Sequence, residues 1–405
     1  MRELDLILYG ATGFVGRLVA EHLAAAAPAD LRVGLAGRSI ERLERVRAGL
    51  GPSAAGWLLA LADSGDPASL RSLADRSRVV VSTVGPYLRH GLPLAEACAD
   101  AGTDYLDLTG EVLFVRELID RCHERAEASG ARLVVSSGFD SVPSDLSVHE
   151  LAALAAELGA GGLTDTTLRV RELSGGISGG TIDSLRAQLE RAQRDSRLRA
   201  ILADPAALTG GVPVREAADA SRHFRDAETG EWAAPFVMAS YNTRLVLRSH
   251  ALRDRGYGEG FRYREIVPTG RGARGKLRAA ALAAGVTALA AAMATPGVRR
   301  LADAALPAPG EGPSAEVRER GHFRMVTSAR TERGDRLEAV FAAQGDPGYA
   351  ATSVMLGEAA LALVVDGERC SRRGGVLTPA TAMGDVLVER LRAQGFEIDA
   401  RALGE

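Results

Sequence analysis

Three glycines stand at G-x-x-G-x-x-G spacing in Gly10-Ala11-Thr12-Gly13-Phe14-Val15-Gly16, between the apolar run 4–9 and a helical apolar pattern at Leu18, Val19, His22 and Leu23. A strand-to-helix turn without Cβ atoms lets the phosphates of a dinucleotide reach backbone amides and the positive end of the helix. All of Gly10 to Gly16 are therefore expected to line a pyrophosphate site. The next strand ends in Gly37-Arg38-Ser39, where an NAD site usually carries an acid for the ribose hydroxyls. A guanidinium and a hydroxyl suit a 2′-phosphate instead, so NADP(H) is the expected cofactor; Ser39 also fits a helix cap. Asp63, after the third strand, is expected to meet the adenine amino group or to cap a loop.

The reacting end of such a ligand lies beyond the carboxyl ends of the later strands. Thr83, Val84, Gly85 and Pro86 are expected to line the groove there, with Gly138 on the opposite rim. Tyr87 and His90 are the candidate proton donors, Tyr87 reaching toward the nicotinamide. Asp140, Ser178, Thr181 and Tyr349 are candidates on the substrate side. Other chemistries are closed by residue type. The Tyr-x-x-x-Lys pair of short-chain dehydrogenases is absent, because Lys276 is the only lysine and Gly272 stands four residues before it. The near P-loop 270–276 is followed by Leu277, without the hydroxyl that binds Mg²⁺. The seven histidines show no metal-ligand spacing. Residues 176–180 satisfy the G-x-S-x-G elbow of hydrolases through Ser178, so a serine hydrolase is one alternative reading.

Six apolar strands alternate with helices along residues 4–136, at 4–9, 31–36, 56–62, 79–84, 105–108 and 132–136. That rhythm predicts a Rossmann-type doubly wound parallel sheet, strand order 3-2-1-4-5-6, over residues 1–144. Residues 145–345 predict a second α+β domain with a mixed or antiparallel sheet, from strands at 166–173, 235–238, 243–247, 261–267, 323–330 and 337–343. Residues 346–405 are expected to form helices that pack back on the first domain. An alanine-rich apolar helix near 279–296, with Arg271, Arg274, Lys276 and Arg278 at one end, reads as a core helix, an interfacial helix or a membrane span. With 405 residues, 46% hydrophobic and 25% charged, the chain is of globular composition. A net charge of −3 argues against a nucleic-acid surface. Three scattered cysteines and an early Asp5 in the first apolar run point to a reducing, cytoplasmic setting.

Several segments together resemble the saccharopine dehydrogenase-like oxidoreductases, and within them the trans-acting enoyl reductases of phthiocerol-type lipid synthesis. They are the glycine turn, AGRS at 36–39, VSTVGPY at 81–87, YLDLTGE at 105–111 and GFDSVPSD at 138–145. SGGT at 178–181, GYGEGF at 256–261, PAPGEGP at 307–313, DPGY at 346–349 and GGVLTPATAMG at 374–384 continue the match. The resemblance implies NADP-linked reduction of a double bond in a lipid-like acyl or polyketide intermediate, with the carrier left open. It also implies a place in lipid or glycolipid biosynthesis. The arginines flanking the alanine-rich helix separately suggest peripheral contact at the inner face of the plasma membrane. It transfers no catalytic residue. The lysine-pathway members employ a lysine at the reaction centre, whereas Lys276 here lies far from the cofactor motifs. The second class of function that fits these residues is a non-catalytic dinucleotide-binding scaffold.

Overall fold

A computed structural model of the chain describes residues 2–175, 179–215, 222–294 and 312–404. The first half alternates strand and helix: β1 Leu4–Tyr9, α1 Phe14–Ala26, β2 Val33–Gly37, α2 Ile40–Gly49, β3 Leu58–Leu61, α3 Pro67–Arg76 and β4 Ser77–Ser82. Then come α4 Tyr87–His90, α5 Leu92–Ala101, β5 Asp104–Leu106, α6 Val112–Ser129, β6 Arg132–Val134 and α7 Val142–Glu157. After these follow β7 Leu163–Ser174, α8 Gly179–Gln193, α9 Ser196–Ala203, β8 Phe224–Arg225, β9 Trp232–Pro235, α10 Ala239–Leu252, β10 Arg262–Gly270 and α11 Gly272–Ala294. The chain closes with α12 Ala315–Arg320, β11 His322–Thr331, β12 Arg336–Gln344, α13 Thr352–Val365, β13 Gly375–Leu377, α14 Pro379–Ala382, α15 Asp385–Ala393 and β14 Glu397–Leu403.

Strands β1 to β6 take the expected order 3-2-1-4-5-6, all parallel; β1 and β2 are apolar and buried on both faces, as strands inside such a sheet must be, while the edge strand β3 leaves Leu58 and Leu61 exposed. From Leu6 to Tyr9 the side chains of β1 alternate between two cores: Leu6 and Leu8 enter one, Ile7 and Tyr9 the other. The first of these cores runs on through Leu356 and Leu363 of α13 to Leu168, Phe323 and Phe341 of the second sheet, so the two sheets share one apolar interior.

The second sheet has the order β14-β12-β11-β7-β10-β9-β8 and is mixed, with β7 and β10 parallel and the other pairs antiparallel. Two expectations are corrected here. Residues 243–247 are not a strand but the middle of α10, which is buried on nearly every side from Tyr241 to Ala251. A helix with no solvent face shows no 3.6-residue alternation, so a short piece of it reads as a buried strand. Residues 346–405 do not form helices alone: β13 extends the first sheet beside β6, and β14 extends the second beside β12.

Candidate functional site

Beyond the carboxyl end of β1 the backbone turns at Gly10, whose φ of +91° a side chain would resist. A Cβ there would also stand 2.6 Å from Thr83 Oγ1, and one on Gly16 would lie 2.2 Å from the Gly10 carbonyl oxygen. Those two glycines let the turn press against β4 and α1 start close beneath it. Gly13 differs: its φ is −73°, it is exposed, and it caps α1 without any side-chain bond. The first amides of α1, at Phe14 and Val15, thus face outward with the positive helix end behind them. Ala11 is buried, Thr12 half-buried, and Val15 packs on the core. Phe14 takes another part: its ring packs edge-on against Tyr349 at 4.9 Å and lies under Arg318 at 5.4 Å.

At the end of β2, Arg38 is exposed and holds no ion-pair partner among the described residues. Ser39 caps α2, accepting the Arg42 amide at 3.3 Å and donating to Glu41 at 2.7 Å. Asp63 is exposed beyond β3 and accepts the Gly65 amide at 2.8 Å. His90 corrects an expectation. Its Nδ1 lies 3.2 Å from Ser64 Oγ, and Arg38 and Asp63 are among the charges that act on it. It therefore stands over the outer strands β2 and β3, away from β5 and β6. Burial first, then Arg89 and Arg38, hold its pKa below the usual imidazole value.

Thr83 sits under the turn, its hydroxyl 3.2 Å from the carbonyl oxygens of Tyr9 and Gly10. Val84 and Gly85 follow, half-buried and exposed, and the Gly85–Pro86 bond is cis. Tyr87 corrects a second expectation. It is buried against Phe114, its hydroxyl donates to the Ser82 carbonyl at 2.9 Å, and it does not reach the groove. Burial drives that phenol well above its ordinary pKa, with Asp107 and Glu111 adding to the effect. The residue that shapes this loop is Glu111, whose carboxylate accepts the Tyr87 and Leu88 amides at 2.8 and 2.7 Å. Ser184 of α8 donates to the same carboxylate. Its place in YLDLTGE was the available signal, but its contacts lie 24 and 73 residues away in sequence.

The opposite rim is the loop after β6. Ser136 holds φ +62°, a left-handed conformation that costs a non-glycine residue about 1–3 kcal/mol. Asp107 holds it there by accepting the Ser136 and Thr109 amides at 2.9 and 3.0 Å. Burial nonetheless pushes the Asp107 carboxyl up to about 7. Gly138 is buried, and a Cβ there would stand tightly at 3.2 Å from Thr352 Cγ2 and 3.4 Å from Leu108 Cβ. The polar side chains that follow are tied to structure. Ser141 donates to Asn242 at 3.0 Å, Ser144 donates to Glu265 at 2.6 Å, and Asp145 accepts the Ala380 amide at 2.8 Å. Asp140 is the exception. It has no hydrogen-bond or ion-pair partner among the described residues, sits deep while keeping a path to solvent, and is raised by burial to about 6. Tyr241 of α10 stands near it, its hydroxyl bonded to Ser136 Oγ, and burial first, then the charges of Asp107, Glu111 and Asp140, lift its pKa well above 10.

Ser178 lies outside the described residues, and Thr181 falls in the first turn of α8. Tyr349 is buried at the junction with Phe14. Lys276 covers the Trp232 ring at 5.2 Å beside β9, remote from the strand ends. Over residues 272–288, helix α11 is mostly exposed. It packs through the small residues Gly275, Ala279 and Ala283 and leaves Leu277 72% exposed.

A parallel sheet of this order with a glycine turn on β1 defines a Rossmann-type dinucleotide-binding domain. Residues 6–134 match the model of the saccharopine dehydrogenase NADP binding domain. A Mycobacterium tuberculosis protein is 47% identical over 418 residues, 99% of this chain and 98% of its own. The trans-acting enoyl reductase of Mycobacterium bovis is 44% identical over 410 residues, 97% of each chain, and that of Mycobacterium ulcerans 44% over 419 residues, 99% of each. Among solved structures, saccharopine dehydrogenase (L-Glu forming) of Saccharomyces cerevisiae superposes at a TM-score of 0.55 with 15% identity, covering 99% of this chain and 100% of that one. The chain belongs to the trans-acting enoyl reductases of the saccharopine dehydrogenase-like family. It is an NADP-dependent oxidoreductase of the enoyl reductase type.

Proposed function

We propose that this protein reduces the carbon–carbon double bond of an α,β-unsaturated acyl or polyketide thioester, supplied by a synthase on which it acts in trans, with Asp140 as proton donor. The unpaired Asp140 carboxyl carries the reading: Asp107, Glu111 and Asp145 on this rim accept hydrogen bonds from fixed donors, whereas Asp140 has none among the described residues and burial raises its pKa to about 6. The proposed cofactor contacts are the turn Gly10 to Gly16, Arg38 toward a 2′-phosphate, Asp63 toward adenine, and Thr83 to Pro86 with Gly138 about the nicotinamide. NADPH, when bound, supplies hydride to the β-carbon. The π electron pair then gathers on the α-carbon and the thioester oxygen, and the Asp140 carboxyl gives its proton to the α-carbon. Solvent restores that proton through the open side of the cleft. One hydride and one proton are consumed for each double bond saturated. Ser136, on the strained turn near Asp140, is bonded to the Tyr241 hydroxyl from α10, and in this reading the pair forms a wall for the thioester. The product serves lipid biosynthesis in this reading. A peripheral contact with anionic lipid through α11 belongs to it as well, supported by the exposed Leu277 between Arg274, Lys276 and Arg278.

Incubation with NADPH and 2-enoyl thioesters of increasing length tests the function. Cofactor oxidation should accompany a mass gain of two hydrogens, one of them from labelled NADPH. Tight NADPH binding with no oxidation by any enoyl thioester would favour the scaffold instead.

A further inference from the structure

We propose that Arg42, seconded by Arg17, is a further cationic contact for the cofactor's 2′-phosphate and a determinant of NADP over NAD. The inference rests on the reading of the glycine turn as the dinucleotide site. A cavity of about 540 Å³ lies between α1 and α2. Thr12, Arg17, Arg42 and Arg45 line it, with Glu21 as its only acid. Thr12 Oγ1 is 3.8 Å from the position of a Cβ on Gly37, so this end of the cavity adjoins the end of β2 and Arg38.

Three observations point to an anion here. First, neither Arg17 nor Arg42 forms an ion pair or donates a side-chain hydrogen bond among the described residues, whereas Arg45 donates to the Glu41 carbonyl at 3.3 Å. Second, both stand in the first turn of a helix, Arg17 in α1 and Arg42 in α2, where the macrodipole disfavours a cation. Helix stability therefore does not explain them. Third, Ser39 cannot act as the phosphate donor without losing a bond, since its hydroxyl proton goes to Glu41 at 2.7 Å. That bond also brings a carboxylate close to the expected phosphate position. Arg38 alone would face a dianion with Glu41 beside it; Arg42, one residue on from Glu41, offsets that charge. Two guanidinium groups converging on one phosphate is the arrangement for which arginine's planar donor set is suited.

The test is titration of the full chain with NADPH and with NADH, for wild type, Arg42→Ala, Arg17→Ala, Arg38→Ala and, as control, Arg45→Ala. Loss of one charge-assisted contact should weaken NADPH roughly tenfold or more for Arg42→Ala. The effect should be smaller for Arg17→Ala, and NADH should change by less than about twofold. Binding of 2′,5′-ADP should fall in parallel with NADPH, and binding of 5′-AMP should hold. All these side chains are exposed, so thermal melts of the variants should match wild type. Equal loss of NADPH and NADH, or no loss of either, on Arg42→Ala overturns the inference. If Arg38→Ala abolishes the NADPH preference while Arg42→Ala leaves it intact, the cofactor reading stands and only this inference falls. A wild type with no preference for NADPH sinks both.

Discussion

Replacing Asp140 by Asn keeps the size of the side chain and removes both its proton and its charge. With a pKa of about 6, the carboxyl is protonated in about a tenth of molecules at pH 7. The acid form is the active one, so kcat for the chemical step should be flat below pH 6 and fall about tenfold per unit above it. Asp140→Asn should lose that limb and lower kcat about 100- to 10,000-fold, the usual worth of a positioned general acid. The NADPH dissociation constant should stay within about twofold. Stability moves the other way. The pKa is raised in the fold from an ordinary value of 3.8, so the native state holds more protons than the unfolded chain between about pH 4 and 6. Stability therefore falls as pH rises through that window, by on the order of 2–3 kcal/mol, and the Asn variant should recover it at pH 8. The assays are enoyl-thioester-dependent NADPH oxidation from pH 5 to 9 and denaturant unfolding at pH 5 and pH 8. A variant that keeps wild-type kcat and its pH limb, or that unfolds more easily at pH 8, would show Asp140 to be a structural carboxylate and the mechanism to be wrong.

Gly13→Val should fold normally, because Gly13 has a φ of −73° and a Cβ there meets only the Gly10 carbonyl oxygen at 3.3 Å, yet the branched side chain should abolish NADPH binding in titration. Glu111→Ala strands the buried Tyr87 amide and the half-buried Leu88 amide and should cost about 2–3 kcal/mol in denaturant unfolding, with NADPH affinity falling as the Val84 to Tyr87 turn loosens. Replacing Arg271, Arg274 and Lys276 together by Gln should reduce co-sedimentation with anionic vesicles roughly a hundredfold at low salt, at about 1 kcal/mol for each charge. Wild type that stays in the supernatant at low salt ends the membrane reading and leaves the reductase untouched.

What sequence alone determined here is what local pattern encodes. The glycine turn, its strand and helix, and the parallel order of β1 to β6 depend on neighbours within a few tens of residues and on chain rules that hold for any βαβ unit. Arg38 follows from its place at the end of β2, which is equally local. The NADP-linked reductase class followed from segments spread along the chain. Tertiary structure decided what depends on distant partners. Residues 243–247 became helix because burial on all sides erased their period. Gly375–Leu377 and Glu397–Leu403 became edge strands because open edges of two distant sheets accepted their backbones. Tyr87 and His90 look alike in sequence as donors three and six residues after strand 79–84. Only the packed chain turns His90 toward Ser64 and seals Tyr87 against Phe114. Asp140 lies in GFDSVPSD beside Ser141, Ser144 and Asp145, and nothing in their order distinguishes it. Partners from α10, β10 and the stretch before Thr381 claim the other three, and among the described residues Asp140 alone of the four is left without one.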